Sequence, residues 1–238
     1  MRNIAILRDG YSDFLVVKKF VKCILDAQKG ETLEDRSFID LEQLNITNPL
    51  MKYLDKTSKN GDYSYHSEEA NDLIKELISI YYGCYSRFQK EFEVITNKEI
   101  IVINADSERL LLERGNYFNL WAYNIKGLLL FSIERFYEEM IKQGHSFEYL
   151  PFIVPLVLFP SSEILVASCM YNITQENLRQ FKPTPALKVK VYGTESIPEA
   201  IQSGVLESTL NTHLINSNLC EIYREIPEAR LLMHSLSI

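Results

Sequence analysis

Acidic side chains recur in this sequence where hydrophobic runs stop. The run Ile4 to Leu7 is followed by Asp9-Gly10-Tyr11-Ser12-Asp13. The run Glu99 to Asn104 leads into Ala105-Asp106-Ser107-Glu108, and the run Phe152 to Phe159 into Pro160-Ser161-Ser162-Glu163. Ligands of open α/β sheets bind beyond the carboxyl ends of the strands. If the three runs are neighbouring strands, their polar ends converge. A cluster of carboxylate and amide oxygens with room for water is what Mg²⁺ or Mn²⁺ requires, and such an ion polarises a phosphodiester and activates water or a hydroxyl. The candidate metal ligands are therefore Asp9, Asp13, Asn104, Asp106, Glu108 and Glu163. Arg109 and Arg114, and the basic stretch Arg179, Lys182, Lys188 and Lys190, are candidates to meet substrate phosphates.

Each of these residues also has a plainer reading. Asp9-Gly10 suits a strand-to-helix turn for backbone reasons alone. Asp13 complements the positive end of a helix, and Asp106, Glu108 and Glu163 suit helix caps and first turns. The lysine stretch reads equally as a solvated segment. Other chemistries find less support. His66, His145, His213 and His234 have no metal-ligand spacing, and Cys23, Cys84, Cys169 and Cys220 form no Cys-x-x-Cys pair, so a zinc site is not expected. Ser12 lacks a Gly-x-Ser-x-Gly setting, and neither a phosphate loop nor a dinucleotide fingerprint occurs.

The elements that must position these residues follow from the hydrophobic pattern. Ile4 to Leu7 is a strand, and Ser12 is expected to cap a helix from about Asp13 to Ala27 with Phe14, Val17, Val21 and Leu25 on one face. Residues 28–66 are polar and punctuated by turn dipeptides. They are expected to form an insertion with one short helix near Pro49 to Leu54. Ser67 then opens a helix carrying Leu73, Leu77, Ile80 and Tyr81, ending near Gly83 or beyond. Glu99 to Asn104 lacks polar alternation and reads as a strand buried on both faces. A helix is expected over 124–143, a strand over Phe152 to Phe159, and a helix from Glu163 towards Met170. From Thr174 the chain reads as mainly helical, with Lys182-Pro-Thr-Pro185 as a rigid loop and helices over Thr174 to Phe181, Pro198 to Leu214 and Asn218 to Tyr223. The fold class expected is α/β, a mostly parallel central sheet flanked by helices with a mainly helical C-terminal part over 174–238, all in one domain spanning 1–238.

With the motifs placed, the sequence resembles a known family. IAILRDGYSDFLVV is similar to the first Toprim motif, a strand followed by Glu-Gly, then an acid three residues after the glycine, and a helix. Gly10 and Asp13 match, and Asp9 stands where the family usually has glutamate. IIVINADSE resembles the second motif, a strand ending in Asp-x-Asp, with Asp106 matching the second aspartate and Asn104 replacing the first. PFIVPLVLFPSSEILVAS and Lys182-Pro-Thr-Pro-Ala-Leu-Lys188 look like later stretches of bacterial Toprim-like families, in which Glu163 would match a recurrent glutamate. The resemblance implies metal-dependent cleavage of phosphodiester bonds in DNA or RNA, with Asp9 as general acid or base and Asp106, with Asp13 or Glu108, holding the metal. It also implies an effector in bacterial phage defence that acts with an ATPase partner. The departures at Asp9 and Asn104 leave a second reading open, a degenerate, non-catalytic Toprim-like interaction module. A third is a phosphate-handling enzyme acting on small molecules.

The bulk numbers set limits on partners. A net charge of −7 and a pI near 5.3 argue against a protein that coats nucleic acid through its whole surface. Contact through a local basic patch, or a grip supplied by a partner, remains open. The N-terminus turns polar too soon for a secretory signal, no apolar run reaches the roughly 20 residues of a membrane helix, and scattered unpaired cysteines suit a reducing compartment. A cytoplasmic protein without membrane contact is the expectation.

Overall fold

A computed structural model describes residues 2–8, 10–30, 34, 37–41, 46–60, 66–92, 94–106, 118–158, 161–171 and 184–237, and within these the side chains of 28, 29, 58–60, 106, 118–124, 184 and 185 stay outside the description. The chain is an α/β protein built on a four-stranded, all-parallel sheet in the order β2-β1-β3-β4. The strands are β1 (Ile4–Leu7), β2 (Phe38–Asp40), β3 (Ile100–Asp106) and β4 (Phe152–Leu158). Ile4 lies opposite Ile100, and Ile100 opposite Phe152, so three strands start level and run in step.

Strand periodicity divides the interior into two cores. Ile4, Ile6, Ile100, Val102, Val154 and Leu156 face one layer. That layer contains α1 (Tyr11–Lys29) and the C-terminal helices α5 (Ile164–Tyr171), α6 (Thr184–Tyr192), α7 (Ile197–Gln202), α8 (Val205–His213), α9 (Leu219–Glu225) and α10 (Pro227–Ser237). Ala5, Leu7, Ile101, Ile103, Ala105, Ile153 and Val157 face the other. There they meet α2 (Thr47–Asn60), α3 (Glu68–Glu91) and α4 (Phe118–Lys142). The two central strands are buried on both faces, as their unalternating sequence predicts. The helical C-terminal part is therefore the cover of one sheet face, joined to the same core as α1.

Several boundaries differ from the expectation. Gly10, in extended conformation, precedes α1, and Ser12 lies inside the first turn, where it caps nothing. Residues 28–66 contribute β2, which pairs in parallel with β1, and α2 is longer than the Pro49 to Leu54 stretch. Ser67 caps α3 as expected, accepting from the Ala70 N–H at 3.1 Å. The helix continues past Gly83 because Cys84, Tyr85 and Phe88 extend its buried face. α6 begins within the Lys182-Pro-Thr-Pro185 segment, with Pro185 in its first turn, where a missing N–H costs nothing. The helix over Pro227–Ser237 was not anticipated, and the helix expected over Thr174 to Phe181 falls outside the described residues.

β4 carries Pro155 opposite Ile103. The strand stands at the sheet edge, where proline is tolerated because one side needs no ladder bond. The Tyr137 hydroxyl of α4 accepts from the Ile153 N–H at 2.7 Å and donates to the Pro151 carbonyl at 2.8 Å, fixing the start of the strand. Among the described residues no helix is long and apolar enough to cross a membrane.

Candidate functional site

Strand order 2-1-3-4 means that the chain leaves β1 in one direction to form β2 and returns on the other side to form β3. Helices α1 and α4 consequently lie on opposite faces. The carboxyl ends of β1 and β3 flank the resulting crevice, the place where open α/β sheets take ligands.

A buried polar cluster occupies this end of the sheet on the α1 side. Asp13 is the third residue of α1, and its Oδ2 accepts from the Gly10 N–H at 2.6 Å. This is the carboxylate half of a capping box, with glycine in place of the usual serine or threonine. The other oxygen, Oδ1, accepts from the Ser162 hydroxyl at 2.5 Å across the chain. Asp13 is 3% exposed and Ser162 fully buried. Next to Ser162, the Ser161 hydroxyl donates to Glu163 Oε2 at 2.5 Å, and both residues are fully buried. The two serines before α5 thus spend their hydroxyls on two carboxylates, while the helix start is closed by backbone bonds from the Ile164 N–H to the Ser161 carbonyl and from the Leu165 N–H to the Ser162 carbonyl.

Three buried side chains of the sheet and of the helices packed on its α1 face have polar atoms with no hydrogen-bond partner among the described residues. They are Glu163 at Oε1, Asn104 at both amide atoms and Tyr192 at its hydroxyl. Asn104 continues the face of β3 that carries Ile100 and Val102 and lies opposite Leu156 of β4. Tyr192 ends α6, which packs on α5. Its phenol is pushed far above the usual range by burial first, then by the negative charges of Glu163 and Asp13, so it lies within electrostatic reach of both. Buried polar groups are nearly always satisfied, so each of these atoms calls for a partner such as a water or an ion. Carboxylate and amide oxygens are hard donors of the kind Mg²⁺ and Mn²⁺ take, so Asp13, Asn104 and Glu163 fit a divalent cation in chemistry.

The structure thus brings Asp13 and Glu163 together and sets Asn104 at the same strand ends. Asp106 is the last residue of β3, opposite Leu158, with its side chain outside the description. Asp9, Glu108, Arg109 and Lys182 lie outside the described residues. Lys188 is half-buried on α6, one turn before Tyr192. Among the described residues no group of three or more His, Cys, Asp or Glu side chains is placed to hold a metal. On the β2 side the crevice is bordered by Arg8, whose Nε donates to both oxygens of Asp40 at 2.7 and 2.9 Å. Tyr192 and the hydroxyl-to-carboxylate role of Ser161 and Ser162 escape a reading of the sequence. The serines stand where caps stand, and Tyr192 closes an amphipathic run in which an aromatic residue signals only core. Neither a protein-family model, nor a curated protein, nor a solved structure matches the chain.

Proposed function

We propose that this chain is a Mg²⁺- or Mn²⁺-dependent nuclease that cleaves phosphodiester bonds in DNA or RNA, acting in the cytoplasm as an effector of bacterial phage defence beside an ATPase partner. The observation that supports the cation-dependent part is that buried oxygens of Glu163 and Asn104 have no hydrogen-bond partner among the described residues, while Ser161 and Ser162 bond Glu163 and Asp13. The nuclease, defence and ATPase parts rest on the Toprim resemblance of the motifs around Asp9, Asp13, Asp106 and Glu163. Asp13, Asn104 and Glu163 would hold the cation, with Asp9, Asp106 and Glu108 as the remaining candidates. When bound, the cation supplies Lewis-acid polarisation of the phosphodiester and a lowered pKa for attacking water. Ser162 and Gly10 hold the Asp13 carboxylate in one orientation. Ser161 holds one oxygen of Glu163, and the other has no partner among the described residues. By resemblance, Asp9 exchanges the proton, and Arg109, Lys182 and Lys188 contact phosphates. The acidity of the chain supports a partner that supplies the wider grip on nucleic acid.

A second reading, a non-catalytic interaction module, is favoured by the serine hydroxyls that already occupy Asp13 and Glu163 and by the neutral Asn104 on the strand end. Melting with and without Mn²⁺ separates the two. At a free concentration a hundredfold above Kd, a bound ion adds about 2.7 kcal/mol of stability, or roughly 5–10 °C for a chain of this size. A rise in wild type that Asp106→Ala and Glu163→Gln lack, with cation-dependent cleavage of tRNA, single-stranded or duplex DNA, is the expected result. No rise in wild type refutes the cation-dependent reading and favours the module.

A further inference from the structure

Rings and cations alternate along the outer side of α1. The Arg8 guanidinium, directly after β1, lies 5.3 Å from the centre of the Tyr11 ring. Tyr11 stacks against Phe14, with 6.3 Å between centroids and 23° between planes. Lys18 Nζ lies 5.7 Å from the Phe14 ring and 5.6 Å from the Phe38 ring of β2, and Lys22 Nζ lies 5.7 Å from Phe38. The contacts run without a break from Arg8 to Lys22, and from Tyr11 onwards they follow α1 for about 16 Å. A cation within about 6 Å of a ring is attracted by its quadrupole, which limits the swing of two otherwise flexible lysines. Phe14 and Phe38 are buried, whereas Tyr11 is 49% exposed. One end of this strip adjoins the candidate site. Tyr11 stands two residues before Asp13 on the same helix, and Arg8 is paired with Asp40 at the end of β2.

In a chain of net charge −7, three cations gathered over adjoining rings favour a polyanionic partner. The half-exposed ring selects among polyanions. A nucleobase stacks on an aromatic side chain, and only an unpaired strand has bases open to do so; an acidic peptide gains nothing comparable from the ring. The geometry points to this strip as a track for single-stranded nucleic acid, with Lys18 and Lys22 on neighbouring phosphates and Tyr11 stacking a base beside the crevice. Service to a cleavage reaction rests on the nuclease reading above; binding of the strand does not. The strip lies in the N-terminal half of the chain, apart in sequence from Arg109, Lys182 and Lys188, and supplies a local basic contact that the overall acidity hides.

The test is fluorescence anisotropy of a short labelled oligothymidine at about 50 mM salt, without divalent cations so that the strand stays intact. Wild type is expected to bind it more tightly than a duplex of equal length. Lys18→Gln/Lys22→Gln should weaken binding and flatten the log–log salt dependence by about 1.4, two phosphates at about 0.7 each, while Lys18→Arg/Lys22→Arg keeps the charges and the slope. Tyr11→Leu removes the flat ring at a half-exposed position. It should weaken binding at least about fivefold and erase the preference for the single strand, with a melting temperature close to wild type. No binding by wild type, or a folded glutamine pair and Tyr11→Leu that both bind like wild type, overturns the track. Polyglutamate bound as tightly as the oligonucleotide, with Tyr11→Leu silent for both, assigns the strip to an acidic protein and overturns it too. Strip-dependent binding without Mn²⁺-dependent cleavage refutes the nuclease reading and leaves the track standing. Cleavage and binding that are unchanged in all variants refute the track and leave the nuclease reading standing.

Discussion

Replacing Ser162 by alanine deletes a bond that ties the residues just before α5 to the start of α1, the 2.5 Å contact from its hydroxyl to Asp13 Oδ1. Nothing else need change, since alanine fits any space that serine fills. Hydrogen bonds to a charged group contribute about 1.5–3 kcal/mol net. Ser162 is fully buried and Asp13 is 3% exposed, so bulk water cannot replace the lost donor, and the upper half of that range applies. The Gly10 N–H still holds Oδ2, which prevents a collapse of the helix start. A loss of about 2–3 kcal/mol follows, and for a chain of this size each kcal/mol moves the melting temperature by roughly 2–4 °C. Ser162→Ala is therefore expected to melt about 4–12 °C below wild type by circular dichroism, with an unchanged denaturant m-value. In an Asp13→Asn background the same change should cost about half as much, because the acceptor is then neutral. A Ser162→Ala protein that melts within about 1 °C of wild type refutes the reasoning, since a buried charge-assisted bond cannot be that cheap.

Other outcomes follow from the same geometry. Tyr137→Phe strands the Ile153 N–H and frees the Pro151 carbonyl, so it should cost about 1–3 kcal/mol in urea unfolding, with a neutral result counting against the strap. Burial pushes the Cys84 thiol up to about 12 from 9.0 and raises Tyr81 as well. The folded state then binds more protons than the unfolded state above pH 9, and stability falls as pH rises. The Cys84 share of the loss is about 2 kcal/mol by pH 10.5, readable as a falling urea midpoint between pH 8 and 10.5. Cys220 is exposed while Cys23 and Cys84 are buried, and Cys169 is pushed up to about 11 by burial. Brief alkylation of the native chain at pH 8 should modify Cys220 first, and mass spectrometry of the digested protein would show it.

The fold was readable where hydrophobicity was long and unbroken. β1, β3 and β4 are runs of Ile, Val and Leu buried on both faces, and that burial leaves the same trace in the sequence. β2 was not readable, because Phe38-Ile39-Asp40 is too short to show a period and its pairing with β1 is a tertiary matter. The start of α1 was misjudged by two residues because serine outranks glycine as a cap in general. Here Asp13 supplies the capping bond from inside the helix. Asp13 and Glu163 stand out in the sequence as acids beyond hydrophobic runs, and the structure buries both with serine partners. Ser162 could not be paired with Asp13 by inspection, since 149 residues separate them. Tyr192 was hidden because its neighbours Leu187 and Val191 make it look like one more core residue.

The outer margin of β4 has a consequence for how this protein meets others of its kind. Phe152 donates inward to Glu99, so by alternation Ile153, Pro155 and Val157 direct their amides away from the sheet. Tyr137 already takes the first of these amides, and proline has none to offer. A passing chain seeking to extend the sheet would find a single remaining donor on that rim. The opposite rim is β2, three residues long. Among the described residues both rims are thereby blunted against runaway strand addition.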